Sequence, residues 1–97
     1  MTLVITAVGN SFRFEGALNR DTLILYSPFK LLNRLTGTIQ FDLSALTAID
    51  TAGLAWLLQQ LAGARDTDLK IELCNVPQQL LSLADVSAVR ALLPIVE

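Results

Sequence analysis

The 97-residue sequence contains no histidine. That absence removes the commonest general base, the usual zinc ligand and the usual partner of a serine nucleophile. Only one cysteine is present, Cys74. An internal disulfide is therefore excluded, and the thiol fits a reducing compartment. Charge is also scarce, at 16% of residues. The basic ones, Arg13, Arg20, Lys30, Arg34, Arg65, Lys70 and Arg90, are scattered and form no stripe. A nucleic-acid binder would show such a footprint, so that class is set aside. There is no glycine-rich phosphate loop. The carboxylates stand singly, apart from Asp66 and Asp68, which flank a turn where acids are solvated. With none of these groups assembled, no cofactor, metal or catalytic residue is expected, and the chain reads as a non-enzyme.

No uninterrupted apolar run approaches the ~18 residues of a membrane span. The first residues, MTLVITAVGN, lack the basic region and cleavage site of a secretion signal. A cytoplasmic protein without direct membrane insertion is the expectation. What the sequence has in excess is hydrophobicity, 53% of residues. The length suits one domain, 1–97, with one core. The apolar excess either fills that core or leaves surface for another chain to cover, a second copy in the isolated protein included.

TLVITAV is β-branched and reads as a strand, and Gly9 with Asn10 supplies a two-residue turn. SFRFEG follows, so the start is a hairpin with Leu3, Ile5, Phe12 and Phe14 in the core. Asn19 is a capping residue. A helix is predicted from Ser27 to Gly37, opened by Pro28, with Leu31, Leu32 and Leu35 buried. Ile39, Phe41 and Leu43 alternate with Gln40 and Asp42, a strand over 38–43. A second strand over 69–74 alternates Leu69, Ile71 and Leu73 with Lys70, Glu72 and Cys74. A helix then opens at Pro77, carrying Leu80, Leu81 and Ala84 inward. The tail reads as a short helix or turn, then a last short strand. Strands alternating with helices imply βαβ units. The fold class is α/β, a mixed sheet with an N-terminal hairpin and helices mainly on one face.

Between the two later strands lies the segment IDTAGLAWLLQQLAGA. At ~100° per residue, Leu54, Leu57, Leu58 and Leu61 share one face. Ala52, Trp56, Gln59 and Gly63 gather opposite, which leaves the Trp56 ring either standing proud as an interface anchor or folded onto a neighbouring loop. Trp56 is expected to stand exposed as an interface anchor. At the helix mouth Asp50 or Thr51 can accept hydrogen bonds from the unpaired first amides, and Gly53 permits close approach of a backbone or a partner.

The segment IDTAGLAWLLQQ, preceded by IQFDLSALTA and followed by DLKIELCNVPQQLLSLADVSAV, resembles a STAS domain. In that family an apolar-Asp-Leu-Ser strand end, here Asp42, Leu43 and Ser44, leads to Asp-Ser/Thr-x-Gly-Leu at a helix start. Asp50, Thr51, Gly53 and Leu54 occupy the latter positions. The resemblance implies a non-catalytic domain that binds a partner. Thr51 in place of serine, Ala52 after it, the shortness of the chain and the early EGALNRDTL make it most similar to the MlaB-type branch. That branch implies a cytoplasmic subunit, peripheral to the inner membrane, that stabilises or activates an MlaF-like ATPase subunit. The ABC complex so formed moves phospholipid and maintains outer-membrane lipid asymmetry. The alternative implied by the family is an anti-sigma factor antagonist regulated by phosphorylation at Thr51. On either, the expected partner surface is Asp50, Thr51, Ala52, Gly53, Trp56, Gln59, Gln60 and Gly63.

Overall fold

A computed structural model describes residues 2–24 and 36–96. Strand β1 (Leu3–Val8) turns back into β2 (Ser11–Leu18) as an antiparallel pair, with Val8 opposite Ser11. Gly9 takes φ 58° in the two-residue turn, the left-handed conformation that a tight hairpin demands of its first central residue. Helix α1 (Arg20–Leu23) follows at once. Its N-cap is Asn19, whose side chain accepts from the Asp21 and Thr22 amides at 3.0 Å each. The Asn19 amide in turn donates to the Thr22 hydroxyl at 3.1 Å, completing a capping box. The helix expected over 27–37, with Leu31, Leu32 and Leu35, lies for the most part outside the described residues.

Strand β3 (Thr38–Ile49) runs parallel to β2, then leads through α2 (Thr51–Asp66) to β4 (Lys70–Cys74), parallel to β3. Helix α3 (Gln78–Val86) opens behind Pro77, and a 3₁₀ turn (Arg90–Leu92) delivers the two-residue β5 (Ile95–Val96). The five strands stand in the sheet in chain order. This is the α/β, mixed-sheet arrangement that the alternation of elements implied.

Alternation along the strands sorts the two faces. Phe12, Phe14, Ile39, Phe41, Leu43, Ile71 and Leu73 are buried, while their neighbours Arg13, Gln40 and Lys70 are exposed. Leu54, Leu57 and Leu61 of α2 and Leu80 and Ala84 of α3 join the same core cluster. Ile5 and Leu58, expected in the core, pack against it half-buried.

The third strand is longer than the expected 38–43, so Asp42, Leu43 and Ser44 sit within it rather than at its end. Register shifts against β2, between Arg13 and Glu15 and again between Gly16 and Ala17, change the phase of the ladder. The buried positions therefore run Ile39, Phe41, Leu43, then Leu46 and Ile49. Strict two-residue alternation ends at Leu43, and with it the strand signal.

Candidate partner-binding site

The junction between β3 and α2 is held from three sides. Asp50 caps α2: its Oδ1 accepts from the Gly53 amide at 2.9 Å, and its Oδ2 accepts from the Arg20 amide at 3.2 Å. Its own amide donates to the Leu18 carbonyl at 3.3 Å. The preceding amide, Ile49, donates to Oε1 of Gln79 on α3 at 3.1 Å. One short segment is thus fastened to the end of β2, to α1 and to α3. Of the two residues able to cap the helix, Asp50 does so. Its carboxylate is engaged within the chain and is half-buried.

Thr51, the first residue of the helix, is exposed, and its hydroxyl has no hydrogen-bond partner among the described residues. It therefore offers a donor and an acceptor to whatever approaches. Ala52 and Gln60 are half-buried, and Gln59 and Gly63 are exposed.

Two expected surface residues prove to be internal. Trp56 is only 7% exposed and belongs to the core. Its ring meets Phe14 edge-on, with centroids 6.0 Å apart at 68°. Gly53 is buried, and a Cβ there would run into the Leu18 carbonyl oxygen and lie 2.9 Å from Cγ1 of Ile49. The close approach that glycine allows is made by the chain's own β2, not by a partner. These corrections share one cause. The buried arc of α2 comprises Gly53, Leu54, Trp56, Leu57, Leu61 and Ala64. Its centre lies by Leu57 and the small residues Gly53 and Ala64, about 70° round from Leu54. That rotation carries Trp56 inward and turns Leu58 partly outward.

The face left outside holds Thr51, Ala55, Gln59 and Ala62, flanked by half-buried Leu58 and Ala52. Ala55, Leu58 and Ala62 were not expected there. One signal could have found them: no charged residue occurs from Thr51 through Ala64. An exposed helical face that meets only water normally carries charges opposite its apolar stripe.

Away from this face the chemistry is quiet. Asp42 accepts from the Ser44 amide at 3.0 Å and from Nδ2 of Asn75 at 3.0 Å. These bonds, the Ser44 amide foremost, hold its pKa below the ordinary 3.8. Cys74 is half-buried, and desolvation, with Glu72 and Asp42 adding to it, pushes its thiol above the usual value. A protonated thiol is a poor nucleophile. Among the described residues no cluster of metal-ligating side chains occurs, and no helix is long and apolar enough to cross a membrane.

A family profile described as "Mlab, STAS domain" matches residues 29–95. The chain belongs to the STAS family. Its MlaB-type character is the description of that same profile. No curated relative matches significantly. Among solved structures the domain is similar to the anti-sigma factor antagonist SpoIIAA in its unphosphorylated form. The TM-score is 0.67 at 14% identity, covering 98% of this chain and 87% of that one. It is also similar to part of the murine Solute Carrier 26 family member A9 anion transporter in its inward-facing state. There the TM-score is 0.58 at 12% identity, over 82% of this chain and 14% of the transporter. At such identities the shared property is the STAS fold. Members of the family are generally regulatory or interaction domains without catalysis.

Proposed function

We propose that this STAS domain is a non-catalytic subunit that docks on the ATPase of a phospholipid-transporting ABC complex through the outer face of α2. On this reading it stabilises or activates the ATPase, and it lies in the cytoplasm against the inner membrane. The observation that carries it is the uncharged exposed face of α2, with the hydroxyl of Thr51, which has no partner among the described residues, at its mouth. Gln59 lies on that face and Asp50, Ala52 and Gly63 border it, whereas half-buried Gln60 falls between Trp56 and Gly53 on the other side of the helix. Trp56 and Gly53 support it from below rather than touching the partner. The junction beneath Thr51 is already ordered by the Asp50 and Gln79 bonds, so docking spends little on fixing it. The MlaB-type description of the matching profile agrees with this choice of partner.

A second reading rests on Thr51 alone. An exposed hydroxyl at a helix N-terminus is accessible to a kinase, and a phosphate there is favoured by the helix dipole. It would make the chain an anti-sigma factor antagonist switched at Thr51. Affinity purification from the native membrane fraction separates the two. Recovery of an ATPase together with a permease is the expected result. Recovery of a soluble serine kinase, with no ATPase, rejects the first reading for the second.

A further inference from the structure

Strand β3 is paired unequally on its two sides. β2 accompanies it as far as Ile49, whereas β4 accompanies it only from Thr38 to Asp42. Past Asp42, no strand among the described residues stands on the β4 side. Successive residues of a strand turn their amides to opposite sides. The Asp50 amide turns to β2 and donates to the Leu18 carbonyl. The Ile49 amide therefore faces the side that β4 has left. Ile49 is buried, and a buried amide without an acceptor is costly.

The acceptor comes from a side chain. After β4 the chain turns at Asn75, which takes φ 55°, and α3 begins at Gln78. Gln79, the second residue of that helix, reaches back, and its Oε1 accepts from the Ile49 amide at 3.1 Å. A side chain on α3 thus does for the last residue of β3 what a strand does for the first half.

This bond differs in direction from the others at the junction. The Asp50 amide is tied to Leu18 of β2, and the Asp50 carboxylate to the amides of Arg20 and Gly53. Those three hold the junction to β2, α1 and α2. The Gln79 bond alone among them holds it to α3. Without it, the segment that carries Thr51 is fastened along one flank and can pivot about that flank. Thr51 follows Ile49 by two residues, so the direction of its hydroxyl depends on the bond.

We infer that Gln79 is a positioning residue of the docking face, acting through Ile49 to set how Thr51 meets its partner. The inference rests on the docking role proposed above.

The test compares Gln79→Leu, Gln79→Glu and a neighbouring control, Gln78→Leu, in the full chain. Both glutamines are exposed, so each variant should keep its fold, which circular dichroism checks. Amide hydrogen exchange of the free chain, read by NMR, comes first. In Gln79→Leu the Ile49 amide should exchange about tenfold faster, and the Asp50 and Thr51 signals should move. Gln79→Glu keeps an acceptor and should restore slow exchange, and Gln78→Leu should leave it as in the parent. Affinity for the recovered ATPase should then fall about fivefold in Gln79→Leu and stay within about twofold in Gln78→Leu. Unchanged exchange of Ile49 in Gln79→Leu would overturn the inference. So would lost protection with full affinity, which would leave Gln79 a brace of the fold only. Weakened affinity with Ile49 still protected would make Gln79 a direct contact, and that also overturns it. Capture of no ATPase by the parent chain rejects the docking role, while the exchange and signal shifts still decide whether Gln79 holds Thr51 in place.

Discussion

The indole of Trp56 stands edge-on to the ring of Phe14, joining α2 to β2 across the core. Phe14 in turn lies 5.0 Å from Phe41, so one aromatic chain runs from helix to the third strand. Edge-to-face contacts of this kind add to the burial of the rings themselves. Trp56→Ala should therefore destabilise the isolated domain by about 3–5 kcal/mol, the range for deleting a buried aromatic. Denaturant unfolding followed by circular dichroism measures it. A loss under about 0.5 kcal/mol, typical of surface changes, would return Trp56 to the outside.

Gly53→Ala should also destabilise, although alanine is the better helix former by about 1 kcal/mol. The added methyl meets the Leu18 carbonyl, which is backbone and cannot step aside cheaply. Overpacking of that kind costs about 1–3 kcal/mol. A melting temperature equal to or above that of the parent would show that the helix and β2 separate without penalty.

Thr51→Glu should weaken partner binding far more than Thr51→Ser, with folding intact. The helix N-terminus tolerates the new carboxylate. The docked surface does not, because a charge placed beside Asp50 must be desolvated in a face that carries no other charge. Titration against the recovered ATPase, with circular dichroism on each variant, checks this. Equal affinities for the two variants would leave Thr51 as no more than the first residue of a helix.

The pH response of Asp42 has a definite sign. Its folded-state pKa is depressed, chiefly by the Ser44 amide and then by Asn75. The stabilisation linked to it is thus complete above the ordinary value of 3.8 and is lost as pH falls through the lowered folded value. Removing the Asn75 amide should raise the Asp42 pKa toward 3.8. Asn75→Gly is the suitable variant, since Asn75 sits at φ 55°, which an alanine would occupy under strain. Carboxyl-carbon NMR titration reads the shift, and an unchanged pKa would assign the whole depression to other groups.

Much of the architecture is legible in the residues, and what is not has local causes. The hairpin, the first half of β3 and β4 announce themselves by regular alternation, and α3 by the proline at its start. The second half of β3 is hidden because shifted pairing with β2 moves Leu46 out of phase with Leu43. The burial of Trp56 is hidden for another reason. A leucine count centres the buried face on Leu54, whereas the helix also turns Gly53 and Ala64 toward its neighbours, while Ala55, Ala62 and Gly63 stay outside. Leucines mark an apolar face, and small residues mark how near that face can come. Asp50 as the cap could be read from its type and place, but its second bond, to the Arg20 amide, joins residues 30 apart in the chain. Likewise nothing local announces that Gln79 reaches Ile49.

The order of the strands bears on how the molecule is made. Each strand pairs only with those next to it in sequence, from β1 to β5. No strand must later be inserted between two that have already joined. The sheet can lengthen at one edge while the chain leaves the ribosome N-terminus first. Each addition closes a single crossover, whose entropic cost rises only slowly with its length. Until the next strand arrives, the growing edge leaves its backbone groups waiting, and β5, two residues long, ends the process by pairing with Leu73 and Cys74 of β4 and offering only a short edge of its own.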